Sequence, residues 1–183
     1  MSSAIRVFLL KFLLDNKLRK LLFNPEQIFG NYVNKGNVVA DIGCGPGFFT
    51  IPLADLVGQE GHVIAVDIEQ NMIDRIMRNA KAHGLEKRII PHKCLPEALN
   101  LTEPLDFALC FWTVHEVPDQ ENFLHEIFRI LKDNAFLLIA EPKAHVLKNK
   151  FLETLQVAEK IGFRIVSRPK IRASYAALFA AAK

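Results

Sequence analysis

The stretch VVADIGCGPGFFTIPLA, residues 38–54, determines how the rest of this chain is organised. An apolar run ends at an acid, Asp41, and a glycine-rich turn leads from it into an apolar, helix-like segment. Glycine alone adopts a positive φ without cost, and it lets a ligand approach the backbone closely. Gly43, Gly45 and Gly47 therefore predict a ligand-binding loop between a strand and a helix.

The spacing of this loop distinguishes two classes of cofactor. Its glycines follow the pattern G-x-G-x-G after an acid, whereas a dinucleotide-binding loop reads G-x-G-x-x-G. A carboxylate beside the loop repels a pyrophosphate and attracts a cation. Residues 41–47 resemble the first motif of the class I S-adenosylmethionine-dependent methyltransferases, whose cofactor carries an ammonium and a sulfonium. The resemblance implies that Asp41 faces the methionine end of that cofactor, directly or through water.

Short β-like runs alternate with helix-like segments, which predicts a parallel sheet with helical crossovers. The order resembles the methyltransferase fold from residue 24 onward, and it implies a doubly wound, seven-stranded, mostly parallel α/β sheet with an antiparallel strand near the C-terminus. Alanine-rich residues 174–182 favour a helix on propensity alone, but the resemblance favours a strand there. Strands are predicted at 38–42, 62–68, 88–90, 106–112, 135–141, 163–168 and 174–182, and helices at 25–35, 50–57, 70–82, 119–131 and 149–160.

Residues 4–23 read as an amphipathic basic helix, because leucines recur at helical spacing between charged residues. The charges leave no apolar run long enough to cross a bilayer, and no signal-peptide cleavage site follows. We expect a single domain over residues 1–183 with residues 1–35 as a helical cap or lid. Peripheral membrane contact through residues 4–23 and dimerisation are the alternatives, so monomer and homodimer both stay open.

The net charge and the cysteine content limit which binding partners and which cellular compartment we expect. The net charge of +3 is too small to indicate nucleic acid, and the Asp/Asn-Pro-Pro-aromatic signature of methyltransferases that act on nucleic-acid amino groups is absent. The three cysteines are odd in number and lack metal-ligand spacing. We therefore expect a small-molecule acceptor, no metal and a cytoplasmic location.

Asp67 is the next candidate for cofactor binding, because it ends the second predicted strand and can accept two hydrogen bonds from a ribose diol. Its alternative role is a helix N-cap. Ile68 and Met72 are candidates to flank the adenine, with plain core packing as the alternative, and Cys44 and Phe48 are candidates within the loop.

Adenine recognition departs from the family pattern. Lys93 stands about where related chains carry an aspartate that accepts the adenine amino group. Either the backbone around Cys94 and Leu95 recognises the base, or Glu97 reaches back to it.

The segment after the fourth predicted strand, residues 111–117, resembles that of small-molecule methyltransferases of the ubiquinone and menaquinone biosynthesis type, and residues 124–132 resemble their next helix. Trp112 and Tyr32 are candidates to border the sulfonium by cation–π contact. For Trp112, packing under a loop is the alternative.

Methyl transfer needs alignment above all, and a base is optional. His115 is the candidate base for a phenol or enol acceptor, with Glu116 and Glu141 behind it. Cofactor contact or a structural role is the alternative for His115. A comparison with arsenite methyltransferases finds little support, because Cys44 and Cys110 are poorly placed to converge.

Two other functions stay open at this point. A nicotinamide-dependent oxidoreductase is disfavoured by the glycine spacing and the strand count. A catalytically inactive, methyltransferase-like binding subunit is compatible with Lys93 and with the absence of an added substrate domain in these 183 residues.

Overall fold

The computed structural model of the protein describes residues 23–183. Within them, seven strands form one sheet in the order β3-β2-β1-β4-β5-β7-β6. This result confirms the predicted α/β class and strand number. The strands are β1 (Val38–Ile42), β2 (His62–Asp67), β3 (Ile89–Lys93), β4 (Leu105–Phe111), β5 (Leu131–Pro142), β6 (Phe163–Ser167) and β7 (Ser174–Ala181), and the helices are α1 (Pro25–Phe29), α2 (Thr50–Leu56), α3 (Gln70–Ala82), α4 (Gln120–Ile130) and α5 (Lys148–Ile161).

Strands β1 to β5 are all parallel, and β7 runs antiparallel to both of its neighbours, β5 and β6. β7 is therefore the antiparallel strand that the sequence predicted. Its alanines form a strand despite their helix propensity, because β7 lies between two other strands and is almost wholly buried.

An apolar core covers each face of the sheet, as continuous apolar strands require. On one face α1, α2 and α3 pack over residues such as Phe29 and Phe107. On the other face α4 and α5 pack over residues such as Leu124 and Phe179. This double-sided packing leaves the ends of the strands open for a site.

Helix α1 is shorter than predicted. Asn24 caps it as expected, accepting hydrogen bonds from the backbone N–H groups of Glu26 and Gln27. The helix ends at Phe29 rather than near Gly36. Downstream, the Asn37 side chain accepts from the backbone N–H of Asn34 at 2.7 Å. This local turn competes with helical hydrogen bonding, and the sequence prediction did not include it.

The predicted amphipathic helix lies outside the described residues except at its last position, Phe23. That ring is buried and packs edge-on against Phe111 and Trp112, with centroid distances of 5.3 and 5.6 Å. Among residues 23–183, none of the helices combines the length and the apolar content that a membrane crossing requires.

Candidate functional site

A cavity of about 760 Å³ opens at the carboxyl ends of β1, β2 and β4. The strand order reverses between β1 and β4, since β2 follows β1 on one side and β4 lies on the other. Parallel α/β sheets bind ligands at such a switch point. The glycine-rich loop forms part of the cavity wall, through Gly43, Cys44 and Gly45.

The three loop glycines have left-handed backbone conformations, with φ of +76° at Gly43, +51° at Gly45 and +88° at Gly47. A Cβ at Gly43 would lie 2.3 Å from Thr113 Oγ1, and one at Gly47 would lie 1.7 Å from Ile76 Cδ1. A Cβ at Gly45 would meet no protein atom within 4 Å. The outer two glycines thus let the loop pack on its neighbours, whereas Gly45 presents bare backbone to the cavity.

Asp67 joins this loop to the end of β2. One carboxylate oxygen accepts a hydrogen bond from Gly45 N–H at 2.9 Å, and the other accepts from Glu69 N–H at 3.0 Å. The N-cap of α3 is Glu69, so Asp67 does not cap that helix. Asp67 lines the cavity, and each of its oxygens has a further lone pair for a ligand.

Asp41 lies beneath the loop instead of in the cavity. It is 2% exposed, and its carboxylate accepts a hydrogen bond from Thr50 Oγ1 at 2.6 Å. Gly47 and Phe48 also lie outside the cavity lining. The structure brings the other nine predicted cofactor residues to the cavity: Gly43, Cys44, Gly45, Asp67, Ile68, Met72, Cys94, Leu95 and Trp112.

Two apolar side chains on the cavity wall are unusually open to solvent. Ile68 is 50% exposed and Leu95 is 56% exposed. Exposed apolar surface within a concave site is the kind that a flat ring covers on binding.

Two groups are candidates for adenine recognition, the backbone around Cys94 and Leu95 and the side chain of Glu97, and their hydrogen bonds differ. The Cys94 N–H donates to the Asp67 carbonyl at 3.1 Å, and the Leu95 N–H donates to the Ala98 carbonyl at 3.0 Å. Both backbone donors are therefore engaged, while Glu97 is exposed and lines the cavity. Lys93 does not line it. Glu97 therefore stays a candidate acceptor for the adenine amino group, whereas the two backbone N–H groups are already paired.

The structure brings together the three candidate catalytic residues. Val114–Glu116 forms a 3₁₀ turn after β4, and Glu141 lies near the end of β5, 2% exposed. One oxygen of Glu141 accepts from the backbone N–H groups of Thr113 and Val114 at 3.2 and 3.0 Å, and the other pairs with His115 Nδ1. His115 and Glu116 line the cavity, and Glu141 supports them from below.

Trp112 lies at the cavity wall and is also packed against the protein. It lines the cavity, and its indole N–H also donates to Ser174 Oγ at 2.9 Å. Its φ of +61° is rare for a bulky residue and is held by the backbone bond from Trp112 N–H to the Ala140 carbonyl at 2.7 Å. Tyr32 does not reach the cavity and packs against Phe136 instead, with centroids 5.7 Å apart.

The cavity wall is acidic, and sequence reasoning predicted only three of its acids, each for a separate role: Asp67, Glu97 and Glu116. Among the residues that the structure describes, no lysine or arginine lines it, although the whole chain has a net charge of +3. The acids belong to separate loops and to helix α4, so no local pattern in the sequence groups them. They are Asp67, Glu69, Glu97, Glu116, Asp119 and Glu126.

The cysteines are free thiols. Cys44 and Cys94 line the cavity, and burial is the main cause that raises the pKa of each above its usual value. Cys110 is wholly buried, which also raises its pKa. Within residues 23–183, no group of three or more His, Cys, Asp or Glu side chains is arranged to hold a metal ion.

Residues 33–170 match the family model described as a methyltransferase domain. Curated relatives include the demethylmenaquinone methyltransferase of Lactobacillus johnsonii, which is 32% identical over 130 residues, covering 69% of this chain and 50% of the relative. The enzyme of the same name from Geobacillus stearothermophilus is 31% identical over 126 residues, covering 67% of this chain and 53% of the relative. The chain thus spans about half the length of the curated relatives it matches.

Solved structures resemble the chain in fold. A SAM-dependent methyltransferase from Aquifex aeolicus superimposes with a TM-score of 0.82 at 24% identity, covering 98% of both chains. The [4+2]-cyclase SpnF superimposes with a TM-score of 0.68 at 18% identity, covering 86% of this chain and 62% of the other. At these identities the likeness concerns the fold alone. Because the family model covers most of its residues, however, the chain belongs to the methyltransferase domain family.

Proposed function

We propose that this protein is an S-adenosylmethionine-dependent methyltransferase that acts on a small-molecule acceptor. One observation carries the proposal: Gly45, Asp67 and the exposed pair Ile68 and Leu95 line a single cavity at the switch point of the sheet. Bare backbone, a carboxylate and apolar surface suit the methionine end, the ribose diol and the adenine of the cofactor, respectively.

The acidic wall supports a cationic cofactor. A ligand with a sulfonium and an ammonium is attracted by six carboxylates, while a pyrophosphate is repelled by them. Buried Asp41 strengthens this field from below the loop without lining the cavity. Its role in the proposal is therefore electrostatic.

The cofactor supplies an activated methyl group, and the protein supplies alignment and exclusion of water. Asp67 holds the ribose, the glycine loop admits the methionine part, and Glu97 accepts from the adenine amino group. The half of the cavity around Val117, Pro118 and Phe123 receives the acceptor. The curated relatives are named for demethylmenaquinone, so a hydroxylated naphthalene ring is the first acceptor to test.

Domain organisation and location are part of the same proposal. Residues 1–35 act as a cap beside the cavity, which is supported by the packing of Phe23 against the cavity-lining Trp112. Three free cysteines support a reducing, cytoplasmic compartment.

Calorimetric titration of the purified chain with S-adenosylhomocysteine tests the proposal, with NAD as the control ligand. We expect saturable binding of S-adenosylhomocysteine and none of NAD. Binding of NAD alone would indicate an oxidoreductase site. Binding of neither would contradict the cofactor assignment and favour an inactive, methyltransferase-like subunit.

A further inference from the structure

His115 has one ring nitrogen turned into the protein and one turned toward the cavity. Nδ1 pairs with the buried carboxylate of Glu141. Nε2, on the opposite side of the ring, has Glu116 as its nearest charged partner, with Oε1 3.9 Å away. The His115 side chain is 21% exposed and lines the cavity. A ligand in the cavity can therefore reach Nε2.

Glu141 determines which nitrogen of His115 carries the proton. Its carboxylate also accepts from the backbone N–H groups of Thr113 and Val114, so it acts as an acceptor on all sides. An acceptor facing Nδ1 requires Nδ1 to be the donor. The neutral ring then carries its proton on Nδ1 and a lone pair on Nε2. Such an arrangement is that of a general base with an orienting carboxylate.

Carboxylates flank the ring of His115. Glu141 lies on one side of it and Glu116 on the other. The ring of His145 stacks beside it, with centroids 6.3 Å apart, and no lysine or arginine lines this cavity among residues 23–183. A proton that passes to this ring during a reaction therefore meets carboxylates and no fixed cation in the described lining.

The same acidic wall restricts the acceptor. An anionic acceptor is repelled by six carboxylates and has no cation in the described lining to hold it. A neutral phenol or hydroquinone is not repelled, but it is a weak nucleophile until its hydroxyl proton leaves. A neutral acceptor of this kind therefore needs a base.

We propose that His115 is the general base of the reaction and that Glu141 is its positioning residue, for a neutral acceptor whose attacking group must lose a proton. This inference rests on the proposed function. As the acceptor forms its bond to the methyl carbon, the proton of its attacking group passes to His115 Nε2 and the carbon–sulfur bond pair stays on sulfur. One positive charge leaves the sulfonium and one appears on the imidazole, so the charge of the site is unchanged.

Histidine NMR tests the proton position without any acceptor. Two-bond ¹H–¹⁵N spectra of the full chain, saturated with S-adenosylhomocysteine, are recorded at pH 7.5, and His115→Ala assigns the signal. We expect a protonated Nδ1 and an unprotonated Nε2. A proton on Nε2, in either a neutral or a charged ring, would overturn the proposal.

The Glu141→Gln variant tests, in the same NMR measurement, whether Glu141 sets the tautomer of His115. The amide oxygen can still accept from Thr113 and Val114, while the amide NH₂ becomes a donor toward His115 Nδ1. We expect the proton to move to Nε2 and the affinity for S-adenosylhomocysteine to stay. An unchanged tautomer would show that Glu141 does not position the ring.

Transfer of a labelled methyl group to two probe molecules distinguishes the loss of a general base from a structural defect in the variant. With 1,4-dihydroxynaphthalene, His115→Ala should lower kcat by about 10²- to 10⁴-fold. With quinoline, which is neutral at the assay pH and attacks through a ring nitrogen that carries no proton, the loss should be less than about tenfold, because no proton must be removed. Equal losses with both probes, or transfer by the wild type to quinoline alone, would overturn the proposal.

His125→Ala is the matched control, because His125 is exposed on α4 and does not line the cavity. It should leave kcat and the tautomer of His115 unchanged. Calorimetry with S-adenosylhomocysteine keeps the two proposals distinct. If the wild type fails to bind it, the proposed function fails; if His115→Ala binds normally but keeps full kcat on the hydroquinone, only the base assignment fails.

Discussion

Gly45 is the loop position at which an added side chain would meet a ligand before it met the protein. Gly45→Ala places a methyl group where no protein atom lies within 4 Å. We expect it to weaken S-adenosylhomocysteine binding at least about tenfold, or ~1.4 kcal/mol. The left-handed backbone should also lower the free energy of unfolding by about 1–2 kcal/mol.

Gly84→Ala provides the control for backbone strain. Gly84 has a similar φ of +67° and the same free space, but it does not line the cavity. It should lose about as much stability in urea unfolding while calorimetry shows unchanged affinity. Equal affinities for the two variants would remove Gly45 from the binding site.

Asp67 combines ligand binding with support of the loop. Asp67→Ala should weaken S-adenosylhomocysteine binding by about 1–3 kcal/mol, because the ribose hydroxyls and the Gly45 N–H lose their acceptor. Isothermal titration measures the change. Asp74→Ala, on the exposed side of α3 and outside the cavity lining, should bind normally. If both variants bind like the wild type, Asp67 has no contact with the ligand.

For single residues, the sequence predicted the position correctly where that position depends on the residue's own loop or strand. Gly45 and Asp67 reach the cavity because backbone conformation and strand position place them there. Asp41 does not reach it, because the hydroxyl of Thr50, nine residues later, binds its carboxylate beneath the loop. The wall as a whole also escaped detection: Glu97 was a candidate on its own, but only the fold brings it together with Glu126 from a distant segment.

Helix α2 is tied to β1 through the buried bond between Thr50 and Asp41. Thr50→Val keeps the shape of the side chain and removes the donor to a carboxylate that is 2% exposed. We expect the free energy of unfolding to fall by about 1.5–3 kcal/mol, the range for hydrogen bonds to charged groups. Chemical denaturation measures the loss.

Thr154→Val is the matched variant with a neutral acceptor. Thr154 is 6% exposed, and its hydroxyl donates to Gln120 Oε1 at 3.0 Å. Its loss should be smaller, about 0.5–1.5 kcal/mol. A loss at Thr50 no greater than that at Thr154 would show that the charge of Asp41 adds nothing to the bond.

Element boundaries were predictable where the apolar pattern begins and ends together with the element. β1 has the predicted bounds, and α3 begins and ends at the predicted residues, Gln70 and Ala82. β5 begins four residues earlier than predicted, at Leu131, through polar residues that no apolar pattern marks as strand. Leu131 pairs with Leu105 of β4, and this contact between distant residues extends the strand. A local sequence pattern does not show such a contact.

The whole molecule depends on the core between β7 and helices α4 and α5. Phe179 is fully buried there, with its ring 5.8 Å from that of Phe163. Phe179→Ala should lower the free energy of unfolding by about 3–5 kcal/mol. Affinity for S-adenosylhomocysteine should stay unchanged in the folded variant, because Phe179 does not line the cavity.

Leu152→Ala, at a side chain that is 37% exposed on α5, provides the comparison. Its loss in urea unfolding should stay below about 1 kcal/mol. Similar losses of unfolding free energy for the two variants would mean that the core beneath α4 and α5 contributes little to the stability of the sheet.

The placement of β7 between β5 and β6 has a consequence for synthesis on the ribosome. β6 leaves the exit tunnel before β7, yet it can join the sheet only through β7. Until residue 181 has emerged, one edge of β5 stays unpaired. The apolar side of α5 also lacks the β7 side chains that pack with it in the folded protein. An open edge of this kind is a site for mispairing between nascent chains, so β7 is the strand whose arrival removes that hazard from β5.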